Sequence, residues 1–363
     1  NLQFIEIPAN TTNTPQLRFA QSDEAGTAYA YLPGGFSAAG DAFYGPSIDA
    51  TVTPGSYSWH TIFHELGHQL GLKHGHESDD FGALPSSRDS QDFSLMTYRD
   101  RLFSDVSGYS ILDGDYPISF QMADIAALQW MYGPNYSHNA SDNVYSWSPG
   151  SAVTLVDGIN PSAFVRTTNT IFVTTWDGGG IDTYDFSEFT QDTDIDLRPG
   201  AYSVVSSAQL ADLDFATSGP DALGNVYNSY LFNGDMRSLI ENALGGSGND
   251  VIYGNQATNV LTGFGGNDDF FGLEGNDHLM GGEGTDTAYY TGQRASYVIS
   301  YSPADAHFTI VDLLAGRDGT DRLTGVEYFN FSDLLVSAAT LFAGDTTPPT
   351  VSTFSPADAA TGV

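Results

Sequence analysis

The sequence predicts an α+β domain followed by an all-β domain of stacked short repeats. Three observations carry this reading. Apolar residues recur at helical spacing from Ser58 to Leu70, behind several β-prone runs. Between Gly245 and Tyr289 the chain is self-similar with a period of nine residues. At 363 residues it also exceeds what one hydrophobic core ordinarily organises. We place the first domain at residues 1–135, the second at 136–345, and a linker leading into a further β-module at 346–363.

In the first domain, residues 2–7, 16–20 and 27–32 read as three strands, separated by Asn/Thr/Pro and Asp/Glu/Gly punctuation. The run from Ser58 places Ile62, Phe63, Leu66 and Leu70 on one helical face, and Gly71 can end it. A polar loop follows, then the tight segment Ser94-Leu95-Met96-Thr97-Tyr98. Phe120 to Tyr132 reads as a second helix, stopped by Gly133-Pro134.

The repeats read GGSGNDVIY, GNQATNVLT, GFGGNDDFF, GLEGNDHLM and GGEGTDTAY. Asp250, Asn259, Asp268, Asp277 and Asp286 are in register, each followed two residues later by Ile252, Leu261, Phe270, Leu279 or Ala288. A flexible Gly/Asp linker would not hold an apolar residue at one phase through five units. Residues 290–345 read as further strands that cover the open end of the stack. The tail from Asp345 through Pro348-Pro349 to Pro356 reads as a linker, and the N-terminus Asn1-Leu2-Gln3-Phe4 as processed or trimmed.

Composition narrows the function. With 45 acidic against 11 basic residues the formal net charge is −34, which repels phosphate backbones and anionic headgroups. Nucleic-acid binding is therefore not expected. No stretch is apolar and long enough to span a bilayer, so neither is membrane insertion. Such a charge calls for cations, and 40 glycines beside many aspartates suggest loops that coordinate calcium. With no cysteine in the chain, any zinc must rest on histidine and carboxylate ligands.

The string His64-Glu65-Leu66-Gly67-His68-Gln69-Leu70-Gly71-Leu72-Lys73-His74 meets that requirement. Histidines at i and i+4 share one helical face and can share one zinc. A positive φ at Gly71 can return His74 as third ligand, leaving a fourth position open. Glu65, beside a ligand but not needed as one, can take a proton from the attacking water and deliver it to the leaving amine.

This extended histidine motif, followed by a methionine in Ser94-Leu95-Met96-Thr97-Tyr98, is similar to the metzincin zinc proteases, and locally to their serralysin branch. The resemblance implies a metzincin catalytic domain with Met96 as the floor beneath the histidines. It implies Tyr98 as a catalytic support or additional zinc ligand, and Ala28, Tyr29 and Ala30 as an edge strand on which substrate pairs. One departure is Gly75-His76, where many serralysins carry a proline after the third histidine. His60, His76, His138, His278 and His307 fit no ligand spacing and are expected to be solvated or hydrogen-bonded.

The nine-residue units match the calcium-binding repeat of RTX proteins. That resemblance implies a parallel β-roll in which two units make one turn, with Asp250 stacking on Asp268 and Asp268 on Asp286. The expected calcium residues are Gly246, Gly248, Asp250, Gly263, Gly265, Asp268, Gly272, Asp277, Gly281 and Asp286. Asp177, Gly179, Asp182 and Glu241, in segments that resemble serralysin calcium sites, complete the set.

Together these imply a zinc endopeptidase carrying one catalytic zinc and several structural calcium ions. It would be monomeric, act on extracellular proteins or peptides, and be open to a proteinaceous inhibitor. Family resemblance further implies type I secretion from a Gram-negative bacterium, with a propeptide and some N-terminal elements missing. The rival is a calcium-dependent adhesive or structural RTX protein with a non-catalytic zinc site, which explains everything except residues 64–98.

Overall fold

The structure is a computed structural model that describes residues 4–7, 16–48, 52–79, 82–106, 109–161, 166, 168–215 and 222–342. The expected linker at 346–363 lies outside the described residues.

The N-terminal part is built on β1 (Arg18–Gln21), β2 (Ala28–Ala30) and β3 (Asp41–Tyr44), in the order β1-β3-β2. The central strand β3 runs parallel to β1 and antiparallel to β2. Two expectations need correction here. Residues 4–7 form no strand, since Phe4 and Ile5 project into solvent. The central strand, not foreseen, is only Asp-Ala-Phe-Tyr after a glycine-rich turn, too short for an alternating pattern to show.

Helix α1 (Tyr57–Gln69) begins where the Ser56 side chain accepts the Trp59 N–H. It ends where Leu70 and Leu72 N–H groups return to the Gly67 carbonyl and Gly71 takes φ +97°. Its buried face carries His60, His64, Glu65 and Gln69, and Gln69 ties the helix to the sheet by donating to the Gly40 and Arg18 carbonyls. Helix α2 (Met122–Tyr132) starts with a capping box formed by Gln121 and Asp124.

From Asn242 to Tyr289 the chain winds as a coil whose short strands alternate between two sheets; Val144–Ser146, Thr183–Asp185 and Asp194–Asp196 prolong these sheets upstream, while Val173–Thr175, Tyr202–Ser203 and Val226–Asn228 form a small sheet of their own. Through the repeats neighbouring strands within a sheet are parallel and a residue pairs with the one 18 positions on, as Leu261 pairs with Leu279 and Ile252 with Phe270. Tyr145, Tyr184, Ala243, Leu261, Leu279 and Leu323 form one column of inward side chains. Ile195, Ile252, Phe270, Ala288 and Phe329 form the facing column. All are almost wholly buried, each large one contributing about 1.5–3 kcal/mol of hydrophobic stabilisation. The sheets thus start some 100 residues before the first recognisable repeat. An antiparallel hairpin, Tyr297–Ser302 with His307–Asp312, continues the first sheet beyond Thr320–Thr324, which pairs with His307–Asp312 on one side and with His278–Glu283 on the other.

The two parts share one apolar cluster, in which Phe93, Tyr116 and Met122 meet Phe172, Leu213 and Tyr227. Polar ties run through it. Buried Asp92 accepts from the Tyr227 hydroxyl and, at 2.8 Å, from Leu223 N–H. The segment that carries Met96 is therefore braced from the coil side.

Candidate metal centres

Helix α1 presents His64 and His68 one turn apart, and the positive φ of Gly71 brings His74 back to them. Ring nitrogens of the three lie within 4.8 Å of one another. Each Nδ1 is already engaged: His64 on the Leu95 carbonyl at 3.1 Å, His68 on the Leu72 carbonyl at 2.8 Å, His74 on the Glu77 carboxylate at 2.9 Å. Partners of this kind accept only, so each Nδ1 carries the proton and each Nε2 a lone pair.

Two of those lone pairs, on His68 and His74, face each other at 3.0 Å, and the His64 Nε2 is buried with no hydrogen-bond partner among the described residues. Three acceptors converging on one point repel unless a cation lies between them. Their spacing suits zinc, whose ~2.0–2.1 Å bonds set tetrahedral nitrogens ~3.3 Å apart. Burial pushes the pKa values of His64 and His68 downward, keeping both rings neutral as metal binding requires.

Glu65 sits beside this point with one carboxylate oxygen buried and unpartnered among the described residues, and burial pushes its pKa up to about 7. Its charge, after burial, also raises the pKa of Tyr44. Tyr98 lies over the triad, its ring 4.4 Å from that of His74 and stacked on His64 at 5.6 Å. Met96 is buried under the helix, so close that a Cβ on Gly67 would meet its sulfur at 2.3 Å. β2, with Ala28, Tyr29 and Ala30, is an edge of its sheet and packs against α1. His60, expected to be solvated or hydrogen-bonded, is buried against Tyr109 and Tyr116, one turn before His64. Burial lowers its pKa to about 4.

The segment around Met96 hangs on Asp124, which accepts from Ser94 Oγ and Leu95 N–H, both at 2.7 Å, and from Gln121 N–H at 3.0 Å. Asp124→Ala leaves those buried donors without partners, at about 1–3 kcal/mol each. We expect a clear loss in urea-unfolding stability, larger than for any exposed aspartate.

In the coil, the expected aspartate stacking is present. Asp250 N–H donates to Asp268 Oδ1 and Asp268 N–H to Asp286 Oδ1, each at 2.8 Å. On the opposite row Asn259 N–H donates to Asp277. The remaining oxygens of Asp268, Asp277 and Asp286 are buried and have no donor among the described residues. A Cβ on Gly263, Gly272 or Gly281 would lie 2.0–2.5 Å from these oxygens, so only glycine fits beside them. Backbone carbonyls of Gly281 and Gly325 border the same gaps at Gly263 and Gly281. Such oxygen-lined gaps suit a hard cation with oxygen ligands, calcium above all.

At the turns above, Gly246 and Gly248 lie hard against the backbone at Phe189 and Gln191, while Gly265 has open room. A second acidic group lies where the two parts adjoin. Asp177 accepts from Gly179 N–H, Asp182 N–H donates to Glu241, and the second Asp182 oxygen is buried without a donor among the described residues. Burial, then Asp177, pushes Asp182 up to about 8.

Two residues of these rows escaped sequence reading. Asp277 N–H donates to Asp321, and Asp286 N–H to Glu327, so both rows run on into the capping strands. A signal was present: Gly319-Thr320-Asp321-Arg322-Leu323 repeats the pattern of Gly284-Thr285-Asp286-Thr287-Ala288.

Two family models match parts of the chain after residue 134. Residues 135–211 match the family described as Peptidase M10 serralysin C terminal. Residues 244–279 and 262–292 match the RTX calcium-binding nonapeptide repeat. The chain is 34% identical over 263 residues to metalloprotease AprA of Pseudomonas entomophila, covering 66% of this chain and 47% of that one. To serralysin C of Dickeya chrysanthemi it is 32% identical over 266 residues, covering 69% and 49%. To serralysin of Proteus mirabilis it is 32% identical over 247 residues, covering 64% and 44%. The chain spans about half the length of these curated relatives.

Proposed function

The chain is a serralysin-type RTX sequence, and from that premise we propose that it is a zinc endopeptidase that hydrolyses extracellular proteins and is folded by calcium. The observation that carries the proposal is the convergence of three histidine lone pairs beside a buried carboxylate oxygen with no donor among the described residues. We read the N-terminal part, to residue 135, as a metzincin catalytic domain and the coil as a parallel β-roll.

In this reading the substrate lies extended along β2, whose outer edge offers the backbone groups of Ala28, Tyr29 and Ala30 for pairing. His64, His68 and His74 would hold the zinc. When bound there, zinc supplies a Lewis acid that polarises the scissile carbonyl and makes water a better nucleophile. Glu65 accepts the water's proton at its free oxygen and passes it to the leaving nitrogen. Tyr98, stacked on His64 and tilted against His74, is placed to support the developing oxyanion or to ligate the metal. Buried aspartates at the coil turns take up calcium, one or more ions per row.

We place the enzyme outside the cell as a monomer, exported unfolded by a type I route and folded on meeting extracellular calcium. No helix among the described residues is long and apolar enough to cross a membrane. The adhesive alternative is not favoured, because it gives no role to Glu65 and the relatives this chain matches are named as proteases. The test is metal analysis with casein cleavage. Dialysed wild type is expected to hold one zinc per chain and to cut casein, and His68→Ala to lose both. A wild type that folds in calcium yet retains no zinc would overturn the proposal.

A further inference from the structure

The turn after His74 folds back on itself. Glu77 N–H donates to the His74 carbonyl at 3.2 Å, and the Lys73 ammonium binds the Glu77 carbonyl. That turn lays the Glu77 carboxylate against His74 twice: Oε1 lies 2.9 Å from Nδ1, and Oε2 accepts the His74 backbone N–H at 3.2 Å. Gly75 permits it, since a Cβ there would meet Leu84 Cδ1 at 2.9 Å and Asp89 Oδ1 at 3.0 Å.

The three histidines are thus held unequally. Leu95 and Leu72 offer His64 and His68 neutral carbonyls, whereas His74 alone rests on an anion. A carboxylate behind an imidazole makes a stronger, charge-assisted hydrogen bond and raises the donor power of the opposite nitrogen. His74 is also the one ligand off the helix, with no regular element to orient it.

Resting on the zinc reading above, we propose that Glu77 is a positioning residue of the zinc centre. It fixes His74 as the Nδ1–H tautomer, turns Nε2 toward the metal, and strengthens that bond by its charge.

The experiment measures zinc affinity by competition with a chromophoric chelator, and the visible spectrum of the cobalt-loaded protein. Glu77→Ala is expected to weaken zinc binding about 10–100-fold and to shift the cobalt bands. Glu77→Gln, which keeps an oxygen acceptor without the charge, is expected to recover part of the affinity. Glu77 is 40% exposed, so the melting temperature of the metal-free variants should match wild type. Unchanged affinity and spectrum in Glu77→Ala would overturn the proposal. So would a lowered metal stoichiometry in His76→Ala, because His74, His76 and Glu77 would then form a metal site of their own. Failure of the zinc reading shows differently: the wild type itself would take up no stoichiometric zinc.

Discussion

Glu65→Gln is expected to lower kcat/KM for casein-derived peptides by about 10²–10⁴-fold, with one zinc per chain retained. Glutamine keeps the volume and polarity of the buried side chain but cannot take a proton. The three histidines make their Nδ1 contacts with Leu95, Leu72 and Glu77, none of which involves Glu65, so the metal set is untouched. Stability should not suffer either. Burial raises the Glu65 pKa from 4.5 to about 7, so its charge opposes folding at higher pH and a neutral isostere relieves that cost. Zinc-loaded Glu65→Gln that cleaves at the wild-type rate would move the base to another residue.

Withdrawing calcium at pH 8 is expected to melt the coil, and withdrawing it at pH 5.5 to do so far less. In the folded chain burial raises Asp286 to about 6, Asp268 and Asp321 to about 7, and Asp277 to about 8. In an unfolded chain such groups titrate near ~4. The folded metal-free state therefore holds more protons than the unfolded one between those limits. Its stability is greatest below the unfolded pKa and is lost as pH rises through about 6 to 8. Calcium replaces those protons, so its uptake near neutrality should release them and its stabilising effect should grow with pH. Circular dichroism at both pH values, after exhaustive dialysis with and without added calcium, measures this. Equal β content in calcium-free protein at pH 8 would contradict it.

What could be read from the chain was whatever a local period encodes. His64 and His68 are a turn apart on one helix, and Gly71 marks the bend that returns His74. The five repeats announce themselves because their apolar residues recur every nine positions. Legibility fails where spacing is irregular. Strands stacked in one sheet before the repeats are separated by 39 and then 59 residues, as the ties Asn143 to Asp182 and Asp182 to Glu241 show, so no period exists to find. The central strand β3 is four residues long and takes its stability from neighbours on both sides, not from its own pattern. Glu77 lay three residues past His74, a separation that means nothing until the turn is seen to close.

The 18-residue pairing interval sets a rule of parity for the coil's length. Inserting two adjacent units adds one strand to each sheet and lengthens the rod by a single strand spacing, ~4.8 Å, with every side chain keeping its neighbours in kind. Inserting one unit would carry everything downstream to the opposite sheet, setting Phe270 above the Leu261 column and moving the capping strands to the wrong faces. Growth and loss are thereby quantised in even numbers of units. Material of other lengths is admitted only where the chain comes back in phase. The hairpin before Thr320 does this, placing Asp321 on Asp277 across 44 residues of chain.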